Sequence, residues 1–506
     1  MLKRIFALML VLVMLVTLFA GCSDKKGNEG GSQETEERRP ASRPNQGGGN
    51  KDDEFKITDI LPDYLNYNNK EVTICVRNDP DQVWEIGLED DGAALSAELF
   101  ERTGRTEERL NIVVEIAKVD GWSTYNNAII SLRNSIMNQQ AVYDIITGWS
   151  PRIPQLASEG LYYNLRSFDY LDVANEWWSQ SLAKELTVND RLFMATGDVS
   201  TDYMRQGHMI FFNQTLAKAM GMDYSTFYQT VSKGEWTFDT LYELSKDAYA
   251  NLNGNDFVDE GDQFGLLIVS TMLQAFYGAA GINMVPNNGV DVPTFDFNAE
   301  IIDNVWTKIQ LLIESPATVA NGFGTTTLSD IDQCFIEGKA LFNLTRLGSL
   351  ADMTDMADGF GVLPMPKYDV AQESYYTQLH SCELWSIPMD AKDPDMSSAV
   401  MTSLGYDSHE VVLEPHFEKL LKTRYVKDSE SGYMIDTIYY NIFMNFDSIY
   451  NEVFYPGAGF SDKNVMPMFI FGALANGNSG SASAWWAKNE NNLKAELQDI
   501  LKGFYS

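Results

Sequence analysis

Short apolar runs alternate with helical patterns between Val72 and Thr147, and this alternation restricts the fold more than any other feature. Val72-Thr73-Ile74-Cys75-Val76 has strand length, and Ala93 to about Leu110 keeps helical spacing. Ile112, Val114 and Ile116 recur at the two-residue period, Tyr125–Met137 is helical again, and Tyr143–Thr147 is a third strand. A strand–helix–strand–helix–strand order implies right-handed crossovers and a mostly parallel sheet. Open sheets of this kind take ligands at the carboxyl ends of their strands. The loop Gly148-Trp149-Ser150-Pro151-Arg152 leaves such an end, so Trp149 and Arg152 are candidate ligand residues.

The next constraint is the stretch Val188–Met222. Leu192–Ala195 is apolar, Thr196–Asp202 is polar and contains Gly197, and Met209–Phe212 is apolar again. Asn213 caps a following helix, Leu216–Met220. A polar crossing in the middle of a long α/β chain can act as a hinge. The body after Phe55, about 450 residues, exceeds one core. The expected architecture is therefore two lobes, each a mostly parallel sheet flanked by helices and joined by hinge crossings. Residues 55–198 start lobe 1, 199–370 form lobe 2, and 371–410 return to lobe 1. The return passes the Pro-rich stretch Pro364–Tyr376 and the strand Glu383–Pro388; residues 411–506 are helical, with neither lobe favoured.

In lobe 2, Trp236–Ala250 is a helix, Phe264–Val269 a strand, and Ile302, Val305, Trp306, Ile309, Leu312 and Ile313 keep helical spacing. Gln274 stands near the start of the segment after that strand. A strand ending at Phe342 leads into Asn343-Leu344-Thr345-Arg346, read as another strand-end loop.

At the N-terminus, Lys3 and Arg4 precede an uncharged apolar run, Ile5–Ala20, too short to favour a membrane span. Leu18-Phe19-Ala20-Gly21-Cys22 resembles a bacterial lipoprotein signal, with Phe19 where Leu is usual. That resemblance implies a signal peptide over 1–21, a lipid on Cys22, and export to the outer face of the cytoplasmic membrane. Residues 22–54 are Gly, Asn, Ser, Pro and charge, which reads as a disordered tether of about 30 Å mean reach.

The formal charge of −34 argues against nucleic acid as a partner. Cys75, Cys334 and Cys382 lie far apart and in no metal spacing, and no His forms HExxH; GxSxG and P-loop motifs are missing too. Cys75 reads as a buried thiol. One loop has oxygen side chains in Ca²⁺-like positions: Asn251, Asn253, Asn255, Asp259 and Asp262. Asn251 replaces an acid there, and Asp256 stands where Gly would make the sharp turn, so an acidic surface turn is the other reading.

Leu99–Ile112, Tyr143–Gly148, Leu156–Tyr162, Trp236–Leu241, Gly361–Tyr368 and Asp428–Asp436, in that order, resemble extracellular solute-binding proteins of the carbohydrate-uptake type, the lipoprotein receptors of ABC importers. The resemblance implies a two-lobed binding protein, monomeric and needing no cofactor, with a carbohydrate ligand and ABC permease subunits as partners. It implies ligand contacts from Trp149 and Arg152 and from Asp198 and Ser200 in the crossing. Sugars need flat aromatic plates and planar hydrogen-bonding groups, which adds Asp202, Gln274, Asn343 and Arg346 to the candidates. An anchored carbohydrate-active enzyme, with Asp198 and Asp202 as its carboxylate pair, and a sugar sensor for a membrane receptor are the alternatives.

Overall fold

The computed structural model describes residues 59–78, 85–87, 94–121, 125–269, 272–320, 328–413, 429–454, 470–471, 474 and 480–505. Residues 1–54, with the expected signal peptide, Cys22 and the expected tether, lie outside the described residues.

The first sheet has strands β1 (Lys70–Arg77), β2 (Ile112–Val119), β3 (Ile145–Trp149) and β10 (Glu383–Ser386) in the order β10-β3-β1-β2, and the two-residue strand β9 (Thr377–Gln378) lies outside it. β1 runs parallel to β2 along its length and parallel to β3, as the crossover helices Ala94–Leu110 and Tyr125–Met137 require. The second helix buries Ala128, Ile129, Leu132 and Ile136, a single apolar face that makes the alternation cooperative. β10 closes the sheet antiparallel to β3, with Glu383 opposite Trp149. β3 continues through Gly148 and Trp149, past the Thr147 end read from sequence. Gly148 permits this, because a Cβ there would meet Ile153 Cγ2 at 2.3 Å and the Tyr125 hydroxyl at 2.7 Å.

The second sheet has the order β6-β5-β7-β4-β8. Its strands are β4 (His208–Asn213), β5 (Phe264–Ile268), β6 (Thr318–Ala320), β7 (Ala340–Arg346) and β8 (Phe360–Pro364). β5 is parallel to β6 and β7, but β4 is antiparallel to both β7 and β8. This sheet is therefore mixed, whereas a mostly parallel one was expected. β4 enters straight from the crossing with no long crossover helix before it, so nothing enforces a parallel direction. The helix Ala299–Ile313 buries Ile302, Val305, Trp306, Ile309 and Leu312, the set that the spacing predicts except for Ile313, which at the helix end is only half-buried.

Two passages between the sheets, among the described residues, lie side by side. Ala195 bridges Trp385 and Gly207 bridges Leu379, both antiparallel. Leu192–Ala195 is consequently not a strand of its own; only Ala195 exchanges backbone bonds with Trp385, at 2.9 and 2.8 Å. The middle of the first crossing coils into a short helix, Thr201–Arg205, capped by Ser200, whose Oγ accepts from Tyr203 N at 3.3 Å. Asn213 caps the helix Gln214–Ala219 as expected, accepting from Leu216 N at 2.8 Å.

The C-terminal helices contact both halves, which the sequence left open. Pro394–Asp407 packs on Ala94–Leu110, where Ser403 Oγ donates to Thr106 Oγ1 at 3.1 Å. Ser429–Tyr439 lies on β8, where Ser431 Oγ accepts from Val362 N at 3.0 Å. The last helix, Ala482–Tyr505, reaches Ala157 and Ser158 through Gly503 and Asp303 through the Ala482 amide. Cys75, Cys334 and Cys382 are buried and free. Among the described residues no helix is long and apolar enough to cross a membrane.

Candidate functional site

The carboxyl end of β3 carries the first group of candidates. Trp149 is 6% exposed, and the Arg77 guanidinium lies 5.4 Å from its ring centroid. Tyr125 meets the same indole edge-on at 6.4 Å. Arg77 donates through Nε to Oε1 of Glu383 at 2.9 Å and its Nη2 lies 2.8 Å from the same oxygen, so the strand register and the ion pair place Glu383 beside Trp149. Ser150 continues the link to the second passage, its Oγ accepting from Cys382 N at 3.1 Å. Arg152 is buried just beyond, its N–H on Trp149 O at 2.9 Å.

The first crossing brings the second group. Oε1 of buried Glu85 accepts from Ser200 Oγ at 3.2 Å, Thr201 Oγ1 at 2.8 Å and Asp202 N at 3.2 Å. Of these, Asp202 N is a first-turn N–H of the Thr201–Arg205 helix, where a carboxylate is favoured. Asp202 is buried, and its Oδ1 accepts from Gln206 Nε2 at 3.4 Å. Arg102 spends its guanidinium on Val199 O and Ser408 Oγ, each at 3.0 Å, and on the backbone carbonyl of Glu85.

From Gln206 the polar line enters the second sheet. Its Oε1 accepts from Arg346 Nη1 at 2.5 Å, and its carbonyl accepts from His380 N at 3.0 Å. Gln274 Nε2 lies 2.7 Å from His380 Nδ1, and His208 and His380 meet edge-to-face at 5.7 Å. Trp149, Ser200, Asp202, Arg346 and Gln274 thus belong to one polar seam along the two passages.

Two candidates stand elsewhere. Asp198 is tied to the tail: Tyr439 donates its hydroxyl to Oδ1 at 2.5 Å, and His409 Nδ1 sits 2.7 Å from Oδ2. Asn343 is not in a loop. β7 runs on to Arg346 because Leu344 and Thr345 are fully buried strand residues. The Asn343 amide donates to Asp332 Oδ1 at 2.6 Å, beside Thr345 and Ser349, which both reach Oδ2 of Asp332.

Burial dominates the electrostatics of the seam. It pushes the Glu85 carboxyl up to about 7, with the neighbouring Asp202 charge adding to the shift. Burial pushes Glu383 up to about 8, opposed by Arg77 and reinforced by Asp202 and Glu85. Arg102 is lowered to about 10 by burial, and His208 to about 3 for the same reason. Folded proteins pair nearly all buried polar atoms. Here Oε2 of Glu85, Oε2 of Glu383, Oγ1 of Thr196 and the indole nitrogens of Trp178 and Trp385 lack a protein partner. Trp178 and Trp385 both bridge the first crossing, at Gly197 and Ala195.

Glu85, Arg77, Gln206, His380 and Glu383 were missed as site residues from sequence. The available signal was a lone charge in apolar surroundings, as in Val83-Trp84-Glu85-Ile86 and Glu383-Leu384-Trp385. The adjacent tryptophans Trp177 and Trp178 are both core, and Trp236 is a structural plug whose Nε1 donates to Pro364 O at 2.9 Å.

The Asn251–Asp262 loop, the candidate cation site, closes on its own hydrogen bonds in this structure. Its oxygens are turned to its own donors: Asn253 Nδ2 and Gly261 N reach Asp259 Oδ1 at 2.7 and 2.8 Å, and Asn255 Nδ2 reaches Oδ2 at 2.6 Å. Asp262 accepts from the Tyr249 hydroxyl at 3.1 Å and from Leu252 N at 3.3 Å. Among the described residues no three acidic, His or Cys side chains gather in a metal-binding group.

Comparison with known proteins agrees with this architecture. No curated protein sequence matches the chain. Among solved structures, a sugar transporter protein from Rhizobium etli in an open conformation superposes with a TM-score of 0.54 at 11% identity, over 86% of this chain and 99% of that one. An ABC transporter solute-binding protein from Thermotoga lettingae bound with α-D-tagatose gives 0.53 at 13% identity, over 85% and 100%. A cyclo/maltodextrin-binding protein complexed with maltotetraose gives 0.52 at 13%, over 86% and 97%. At these identities the likeness is one of fold, a two-lobed α/β binding-protein fold. The family model for bacterial extracellular solute-binding proteins matches residues 87–376, more than half of the chain. The chain therefore belongs to the bacterial extracellular solute-binding protein family, whose members bind solutes rather than transform them.

Proposed function

We propose that this protein captures a carbohydrate, most simply an oligosaccharide, in the seam between its two sheets and passes it unchanged to the permease of an ABC importer. A lipid on Cys22 would hold it at the outer face of the cytoplasmic membrane, with residues 22–54 as tether. The observation that supports the reading best is the seam itself. An aromatic plate, carboxylates, amides and guanidinium groups meet there, several with unpartnered polar atoms, along the two described passages between the sheets. These are the groups that recognise sugar faces and hydroxyl edges. The structural relatives named above include one solved with maltotetraose and one with tagatose, which points the same way.

Trp149, Asp202 and Gln274 are nearly inaccessible in this conformation. Entry of a solute then needs the halves to part about the two passages, and a ligand favours the closed form only through contacts it makes there. Trp149 and Asp202 would be first contacts, with Arg346 and Gln274 completing the site from the second sheet. A micromolar site needs about −8 kcal/mol, within reach of one stacked aromatic and a set of hydrogen bonds. No cofactor is needed for this, and no bond is made or broken. Titration calorimetry of the purified body against neutral, acidic and amino oligosaccharides tests the proposal. Binding of at least one class in the micromolar range is expected, and silence across all three would count against it.

A further inference from the structure

The seam holds three buried carboxylates, and two of them keep an oxygen that no protein donor reaches. Glu85, Asp202 and Glu383 are each about 1% exposed. Glu85 and Asp202 are linked through the Asp202 N–H on Oε1 of Glu85 at 3.2 Å. Both press electrostatically on Glu383. The arginines nearby do not cover the free oxygens. Arg77 is engaged with Oε1 of Glu383 and with the Trp149 face, and Arg102 donates to backbone carbonyls and Ser408 Oγ. This leaves Oε2 on each glutamate buried without a donor. Two such oxygens on different carboxylates cost stability when the halves close over them. A ligand that brings several N–H donors and a positive charge removes that cost, so it gains affinity specifically in the closed form.

Resting on the carbohydrate-binding reading above, we infer that the solute carries an ammonium group, as in an amino sugar oligomer, and that Glu85 and Glu383 determine this specificity. An acidic sugar is disfavoured by the same carboxylates.

The test is calorimetry of the whole body with four probes of matched length: a glucosamine trimer, its N-acetylated form, maltotriose and a galacturonic acid trimer. Measurements at about 0.5 M salt suppress general attraction to the acidic surface. The glucosamine trimer should bind at least tenfold tighter than the other three. Glu85→Gln and Glu383→Gln, each nearly isosteric, should shrink that ratio severalfold. A wild-type ratio near one, or a preference for maltotriose or the galacturonate, overturns the inference without need of the variants and leaves carbohydrate binding intact. An ammonium preference untouched by both variants overturns the assignment to these glutamates. No binding of any probe overturns both this inference and the carbohydrate reading.

Discussion

The Asn251–Asp262 loop and the seam between the sheets are both polar, carboxylate-bearing clusters, yet they are built in opposite ways. In the loop each oxygen of Asp259 and Asp262 has an in-loop or adjacent donor, and hydrogen bonds from Asn255 and Gly261 hold the Asp259 carboxyl below its ordinary range. In the seam, burial lifts Glu85 and Glu383 well above theirs, and each retains an unpartnered oxygen. The loop looks like a ligand site in sequence and is self-sufficient in structure. The seam is scarcely visible in sequence and is unfinished in structure. Binding chemistry is better sought where buried polar groups lack partners than where a spacing pattern resembles a cage.

Substitutions in the two regions should therefore separate cleanly. Trp149→Ala removes the aromatic plate and should weaken sugar binding about a hundredfold, roughly 3 kcal/mol, by calorimetry. Asp259→Ala in the loop should leave affinity within twofold; equal losses from both would erase the contrast. Asp332→Ala should be the most damaging change to stability. It strands the buried donors Asn343, Thr345 and Ser349, at about 2–4 kcal/mol in denaturant unfolding. Binding by the folded fraction should survive, because that network lies inside β7 and its neighbours rather than in the seam.

A pH series sharpens the comparison further. Glu85 binds its proton more tightly folded than at its ordinary 4.5, rising to about 7. Its contribution to stability is full below 4.5 and is lost as pH rises through about 7. The protein should melt at a higher temperature at pH 5 than at pH 8, and Glu85→Gln should flatten that slope. An unchanged slope would mean that Glu85 titrates normally. The smallest effect concerns calcium. Millimolar Ca²⁺ should move the melting temperature by less than about 1 °C, since binding stabilises only where a site exists. A shift of several degrees would show that the loop rearranges around the ion.

Much of the fold was legible from local patterns. The alternation between Val72 and Thr147 required parallel strands with crossover helices, and β1, β2 and β3 pair that way. Asn213 and the Ile302–Leu312 face followed from capping and helical spacing. The direction of β4 and the length of β7 did not follow, because both depend on neighbours remote in sequence. Of the site candidates, Trp149 and Asp202 were read from strand-end and crossing logic, and the structure buries both along the seam. Glu85 and Glu383 had only the weak signal of a lone charge in an apolar stretch; what distinguishes them is burial beside another carboxylate, which no single stretch of chain encodes. Asn343 looked like a loop residue only because the strand was read as ending at Phe342.

Hydrogen–deuterium exchange of the whole body, with and without the oligosaccharide that calorimetry finds tightest, addresses the binding seam most directly. Binding there predicts new protection on the segments holding Trp149, Asp198–Gly207 and Leu379–Trp385, with no change at Asn251–Asp262. Protection confined to that loop or to the outer helices, with the two passages unaffected, would contradict it.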